Sequence, residues 1–243
     1  MTTFESTDEF EDASFVRASF RGARLRQCDI SVVTIRGAEL NGLDIDSHDL
    51  AFGTLIVNGV DVVPFVEAEL DRLFPGRAQS RSRTADGLRE SWAAVQQAWA
   101  TTIEATPPEL MAAHVPDEWS PVQTLRHLVL ATDAWLHGAI LREEQPFHEI
   151  GLLFTGAAEF GVDTSPFRTD TPTLEEVLEV RAERQHSVTA YLEAVSPAQL
   201  EEERDDPWGD TSWHPTVGSC LRTILEEEWA HLRYVRRDLA LLA

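Results

Sequence analysis

From Phe10 to Val60 every fifth residue is apolar: Phe10, Phe15, Phe20, Leu25, Ile30, Ile35, Leu40, Ile45, Leu50, Leu55 and Val60. Two positions before the second to seventh of these the residue is small or compact: Ala13, Ala18, Ala23, Cys28, Val33 and Ala38. An α-helix brings side chains back to one face about every 3.6 residues and a strand about every 2, so neither produces this step. The first quarter of the chain therefore requires a third kind of regular structure.

These residues resemble the pentapeptide-repeat family. The resemblance implies a short right-handed quadrilateral β-helix over residues 1–63, turning one corner per repeat. The fifth residues would point inward, and the small residues would fill the remaining axial space. The register slackens at Leu43, His48 and Asn58, so the last coils are expected to be irregular. Eleven repeats at four per turn give fewer than three coils, a rod about 13 Å long at ~4.8 Å per coil.

Charge narrows the partners. The net charge is −22, and all 20 basic residues are arginine. Such acidity argues against a surface that tracks phosphates or anionic membranes, since both draw on clustered cations. Met1 to Glu11 is acidic and lacks an apolar core, so it does not read as a signal peptide. No uncharged apolar run approaches the ~18 residues a membrane span needs. The two cysteines, Cys28 and Cys220, lie far apart and suggest no disulfide framework, which favours a cytoplasmic setting.

After Val63 the periodicity becomes helical. Pro64 opens a short amphipathic segment that ends at Pro75-Gly76, a capping helix, and Gln79 to Thr84 reads as a polar linker, so residues 64–84 separate two domains. Four longer helices are expected in residues 85–243. The first carries Leu88, Trp92, Val95, Trp99 and Ile103 at helical spacing. The second starts at a Ser120-Pro121-Val122-Gln123 capping box and runs to about Arg142; the third starts at the Thr173–Glu176 box and runs to about Leu192. The last extends from Val217 to Leu241, after a brief helix signalled by Ser196–Gln199. Four such helices suggest an all-α four-helix bundle. The connection from Glu143 to Thr171 is long enough to suggest a functional loop, such as a lid.

Three side chains stand out for chemistry. Glu227 and His231 are four residues apart, so both emerge from one face of the last helix. His127 lies on the second helix, roughly opposite its apolar stripe, and periodicity leaves open whether that face meets solvent or lines a cavity between helices. One His from one helix and Glu-x-x-x-His from another can supply three ligands to a divalent metal, leaving coordination positions open as catalytic sites do. Glu228, three residues before His231, could also converge on a metal. His148 and His214 lie in loops, and Arg237 could hold a substrate carboxylate or pair with the abundant acids. His48, His114, His137 and His186 read as structural or surface residues. No phosphate-binding glycine loop, paired Cys-x-x-Cys motif or nucleophilic-serine elbow occurs.

The stretches Trp119–Trp135 and Glu226–Leu239 resemble the DinB-like family of four-helix bundles, in particular its branch related to thiol-dependent S-transferases and mycothiol-dependent maleylpyruvate isomerases. The resemblance implies His127, Glu227 and His231 as metal ligands, because the family uses the four-residue step. Many members carry His where Glu227 stands, and a His/Glu/His set resembles the thiol-dependent isomerase branch. Mixed nitrogen and oxygen ligands suit Zn²⁺ first, with Ni²⁺, Mn²⁺ or Fe²⁺ as alternatives. The implied function is a metal-dependent thiol S-transferase or isomerase acting on a small electrophile, with a low-molecular-weight thiol such as mycothiol as co-substrate. The alternative is a non-catalytic metal-binding or stress-response interaction module. A DNA-mimic role for the repeats is weakened by the short rod, and by the Asp8–Val62 segment holding only ten acidic against five basic residues. A packing platform, such as a homodimer contact, suits that domain better.

Overall fold

The computed structural model describes residues 10–154, 157–160 and 162–243. The reading of Met1 to Glu11 against a signal peptide rests largely on residues 1–9, which lie outside that range. The chain divides into two compact units, ending and starting at Asp46 and Ser47.

Backbone corners carry the period of the first unit. A left-handed residue recurs every five positions: Asp12, Arg17, Gly22, Gln27, Val32, Gly37 and Gly42, with φ between 50° and 78°. Each lies two residues after an apolar fifth residue, and at alternate corners the turn is closed by a hydrogen bond, such as Ala13 N to Phe10 O at 3.1 Å and Ala23 N to Phe20 O at 2.9 Å. Positive φ at the third residue of a turn, and not the second, is the type II geometry. Among described residues 10–46 no strand forms, and turns alone define the repeat. The apolar fifth residues remain about half exposed, Phe15 at 52% for example, although neighbouring rings pack together, Phe15 to Phe20 at 5.2 Å between centroids.

The second unit opens where the repeat pattern loses register. Leu50, Leu55 and Val60 keep the five-residue spacing, yet Leu50–Phe52 is a 3-10 turn and the strands β1 (Ile56–Val57) and β2 (Val60–Asp61) pair antiparallel. Asn58 and Gly59 between them both have positive φ, 51° and 83°, the tight hairpin turn that Asn-Gly favours. Helix α1 (Val63–Leu73) follows, with Pro64 in its first turn.

The expected linker, Gln79 to Thr84, is in its first half part of a 3-10 helix, Arg77–Arg81. Arg77 bonds Glu67 at 2.8 Å and Asp71 at 2.7 Å, and Arg81 also reaches Asp71, so charge pairing ties this segment to α1. Gly76 is required here: its φ is 97°, and a Cβ would sit 2.3 Å from that of Ala94.

Six α-helices occur among the described residues: the short α1 and α5, and four long ones that build the core. They are α2 (Ala85–Ala105), α3 (Pro121–Thr132), α4 (Leu174–Ala194) and α6 (Val217–Leu242); α5 (Pro197–Leu200) is one turn. Helix α2 packs on α4 and α6, and α3 packs on the same two, closing a ring. Capping boxes start α3, α4 and α5 as the sequence suggests. Leu88, Trp99, Leu125, Val129, Val177, Leu221 and Leu232, each almost fully buried, fill the centre. Helix α3 continues as a π-helical segment, Asp133–Ile140. Among the described residues, no helix is long and apolar enough to cross a membrane.

Candidate metal centre

His127 owes its place to the start of α3. The Ser120 hydroxyl accepts from Gln123 N at 3.3 Å, and Gln123 Oε1 accepts from Ser120 N at 2.9 Å, which fixes the first turn. His127 follows one turn later and faces α6. On α6, capped by Thr216, Glu227 and His231 are stacked one turn apart.

The three side chains converge. Ligand-capable atoms of His127, Glu227 and His231 all lie within 4.8 Å of one another. Oε2 of Glu227 is 3.5 Å from Nε2 of His127 and 3.0 Å from Nε2 of His231. Ligand atoms about 2.05 Å from a tetrahedral ion are separated by about 3.3 Å, so these two spacings bracket the value a bound divalent ion would set.

The far side of His127 is also specified. Its Nδ1 lies 3.0 Å from the carbonyl oxygen of Leu152, in the connection after α3. A carbonyl can only accept, so Nδ1 carries a proton at this contact, and Nε2 is the ring atom turned toward Glu227 and His231. This is how metal-binding imidazoles are commonly oriented.

Electrostatics favour the ligand-ready state. Burial alone would raise the Glu227 carboxyl, but hydrogen bonds from His127 and His231, and the charge of those rings when protonated, outweigh it and hold the group well below the usual carboxylate range. Burial pushes His231 down, opposed by Glu227. An ionised carboxylate beside a neutral imidazole is what a cation requires, since bound ligands must be deprotonated. The indole of Trp119 covers the pair, 4.8 Å from the His127 ring and stacked at 6.0 Å on His231. Tyr234 meets His231 edge-on at 5.4 Å.

Glu228 faces elsewhere. Both its oxygens bond Arg181 Nη2, at 2.8 and 2.5 Å, in a pair whose side chains are 1% and 3% exposed. Its neighbour Glu227 is the acid that meets the histidines. His148 is outside the cluster: its Nδ1 accepts from Ile150 N at 3.1 Å. His214 is exposed, 3.8 Å from Asp205. Arg237 pairs with Glu118 at 3.1 Å and Asp238 at 2.7 Å. Both cysteines are free thiols, and burial pushes Cys220 up to about 12.

Residues 88–235, which include all three converging side chains, match the family model of the DinB superfamily. The chain belongs to the DinB superfamily. Residues 13–47 match pentapeptide repeats in eight copies, ahead of the DinB domain. Comparison with curated proteins and with solved structures gave no match.

Two groups that fix the surroundings of His127 escape sequence reasoning. The Leu152 carbonyl is a backbone group, which no residue type signals. Asp133, the first residue of the π segment, is fully buried and accepts from Arg184 Nε at 2.5 Å and from His148 N at 2.7 Å. Burial raises its carboxyl, and those two donors oppose the shift. An Asp inside an otherwise apolar stretch is the one signal that could have marked it.

Proposed function

We propose that His127, Glu227 and His231 hold a divalent metal, Zn²⁺ first among the candidates, and that the site serves a thiol-dependent S-transferase or isomerase acting on a small electrophile. The carrying observation is the convergence of two Nε2 atoms on one carboxylate oxygen at 3.0 and 3.5 Å. A divalent ion there supplies the positive charge that keeps a small thiol deprotonated near neutral pH, so that its sulfur can add to an electrophilic carbon. The protein contributes orientation and shielding. Leu152 holds the His127 proton on Nδ1, Glu227 stays ionised, and Trp119 keeps water from the imidazole faces. Three protein ligands leave positions open, as catalysis needs and a closed structural site does not. Mycothiol is the candidate thiol, and the cytoplasm the setting.

For residues 10–46 we propose coils of a quadrilateral β-helix acting as a packing or homodimer platform, supported by the recurrence of left-handed corners every five residues.

The test is turnover. Zn²⁺-loaded protein is mixed with mycothiol, and in parallel with glutathione and cysteine, against a panel of electrophiles that includes maleylpyruvate. Thiol-dependent turnover that disappears in His231→Ala supports the reading. Metal-loaded protein that accelerates none of these reactions favours the non-catalytic metal-binding or stress-response module.

A further inference from the structure

We infer that Arg126, which is not a ligand, is a positioning residue for the metal centre: it clamps the 148–152 segment against α3 and so fixes the carbonyl that orients His127. The inference rests on the metal reading above and adds the element that sets the strength of binding.

Arg126 is 6% exposed, an unusual place for a guanidinium. Its Nε donates to the Ile150 carbonyl at 2.8 Å, and its own carbonyl accepts from Leu152 N at 3.3 Å. These bonds straddle Gly151, and the next group along the segment, the Leu152 carbonyl, takes the His127 Nδ1 proton at 3.0 Å. One residue pair on α3 therefore grips the connection at Ile150 and at Leu152, on both sides of Gly151. Upstream, Asp133 Oδ2 accepts from His148 N at 2.7 Å, so the segment is held at both ends. Gly151 permits the close fit: a Cβ there would lie 2.9 Å from the Phe167 ring and 3.2 Å from the His148 carbonyl.

The physical consequence is specific. Without the Nε bond the Ile150 carbonyl loses its buried donor and the segment can lift. The Leu152 carbonyl then no longer selects the tautomer that offers Nε2. Losing such an outer partner of a ligand typically lowers metal affinity about 10- to 100-fold.

The experiment compares wild type with Arg126→Gln and Gly151→Ala, which disturb the segment from opposite sides, and with Leu192→Ala, a core truncation on α4 that serves as a stability control. Zn²⁺ affinity is measured by competition with a chromophoric chelator. The Co²⁺-loaded forms are compared by visible absorption, and amide exchange of residues 148–152 is followed in metal-free protein. The expected result is a Zn²⁺ affinity lower by about 10- to 100-fold in both segment variants, with an altered Co²⁺ spectrum and faster exchange at 148–152. Leu192→Ala should keep the wild-type affinity and spectrum. Unchanged affinity and spectrum in both segment variants would overturn the inference while leaving the metal reading intact. A wild type that takes up neither ion would overturn the metal reading, and this inference with it.

Discussion

Replacing Arg181 with Met should be one of the most damaging single changes in the helical unit, and the reason lies next to the proposed metal site. Arg181 on α4 and Glu228 on α6 form a bidentate pair with side chains 3% and 1% exposed. Removing the cation leaves a carboxylate with almost no access to water, a situation that costs about 3–5 kcal/mol. Replacing both members, as Arg181→Met with Glu228→Leu, removes the uncompensated charge. That double variant should return close to wild-type stability or exceed it by about 1–4 kcal/mol. All seven tryptophans lie after Ser47, so urea unfolding followed by tryptophan fluorescence reports this unit alone. With a slope of about 2 kcal/mol per molar urea, the single variant should lower the midpoint by about 1.5–2.5 M. The coupling between the two sites is then read directly from the cycle. The result matters beyond stability, because Glu228 is next to Glu227 and its burial fixes the rotation of α6. A loss below about 1 kcal/mol, typical of an exposed pair, would mean that α6 is rotated otherwise. Glu227 and His231 would then have no reason to face His127.

Two further outcomes follow from the same geometry. His231 is pushed down by burial, so the unfolded chain binds its proton more readily than the native one; its stabilising contribution is complete above the unfolded value of about 6.5 and is lost as pH falls through the depressed native value. Metal-free protein should therefore show a falling urea midpoint below about pH 6.5, and His231→Asn should flatten that part of the profile; an unchanged slope would refute the assignment. In the first unit Val32 sits at φ 61° and is 99% exposed, a left-handed conformation that a β-branched residue adopts at a cost of about 1–2 kcal/mol. Val32→Asn should slow amide exchange across residues 10–46 by an amount equivalent to about 1 kcal/mol, and faster exchange would contradict the corner geometry.

Much of this architecture is legible because it is encoded locally. The capping boxes at Ser120, Thr173 and Ser196 each span four residues and the Glu227–His231 pair spans five, so each is visible in a short window. The place of His127 opposite them is tertiary, and only the family resemblance joins the two helices. The connection from Glu143 to Thr171 shows what a window misses. Its decisive group is the Leu152 carbonyl, whose role depends on where the chain returns. Local composition likewise gives Gln79 to Thr84 as linker, because the pairing of Arg77 with Glu67, ten residues earlier, has no local signature. At Asn58-Gly59 two local signals compete. The five-residue step continues through Leu55 and Val60, but two consecutive left-handed residues close a hairpin and end the repeat.

The central claim is that His127, Glu227 and His231 form one metal site, and metal content tests it most directly. Protein purified without chelators and reconstituted with Zn²⁺ would be assayed by elemental analysis, with His127→Ala and Glu227→Ala alongside. The account predicts a single equivalent of metal in the wild type and its loss in both variants. A wild type that retains no metal after reconstitution, or variants that keep the full complement, would contradict it.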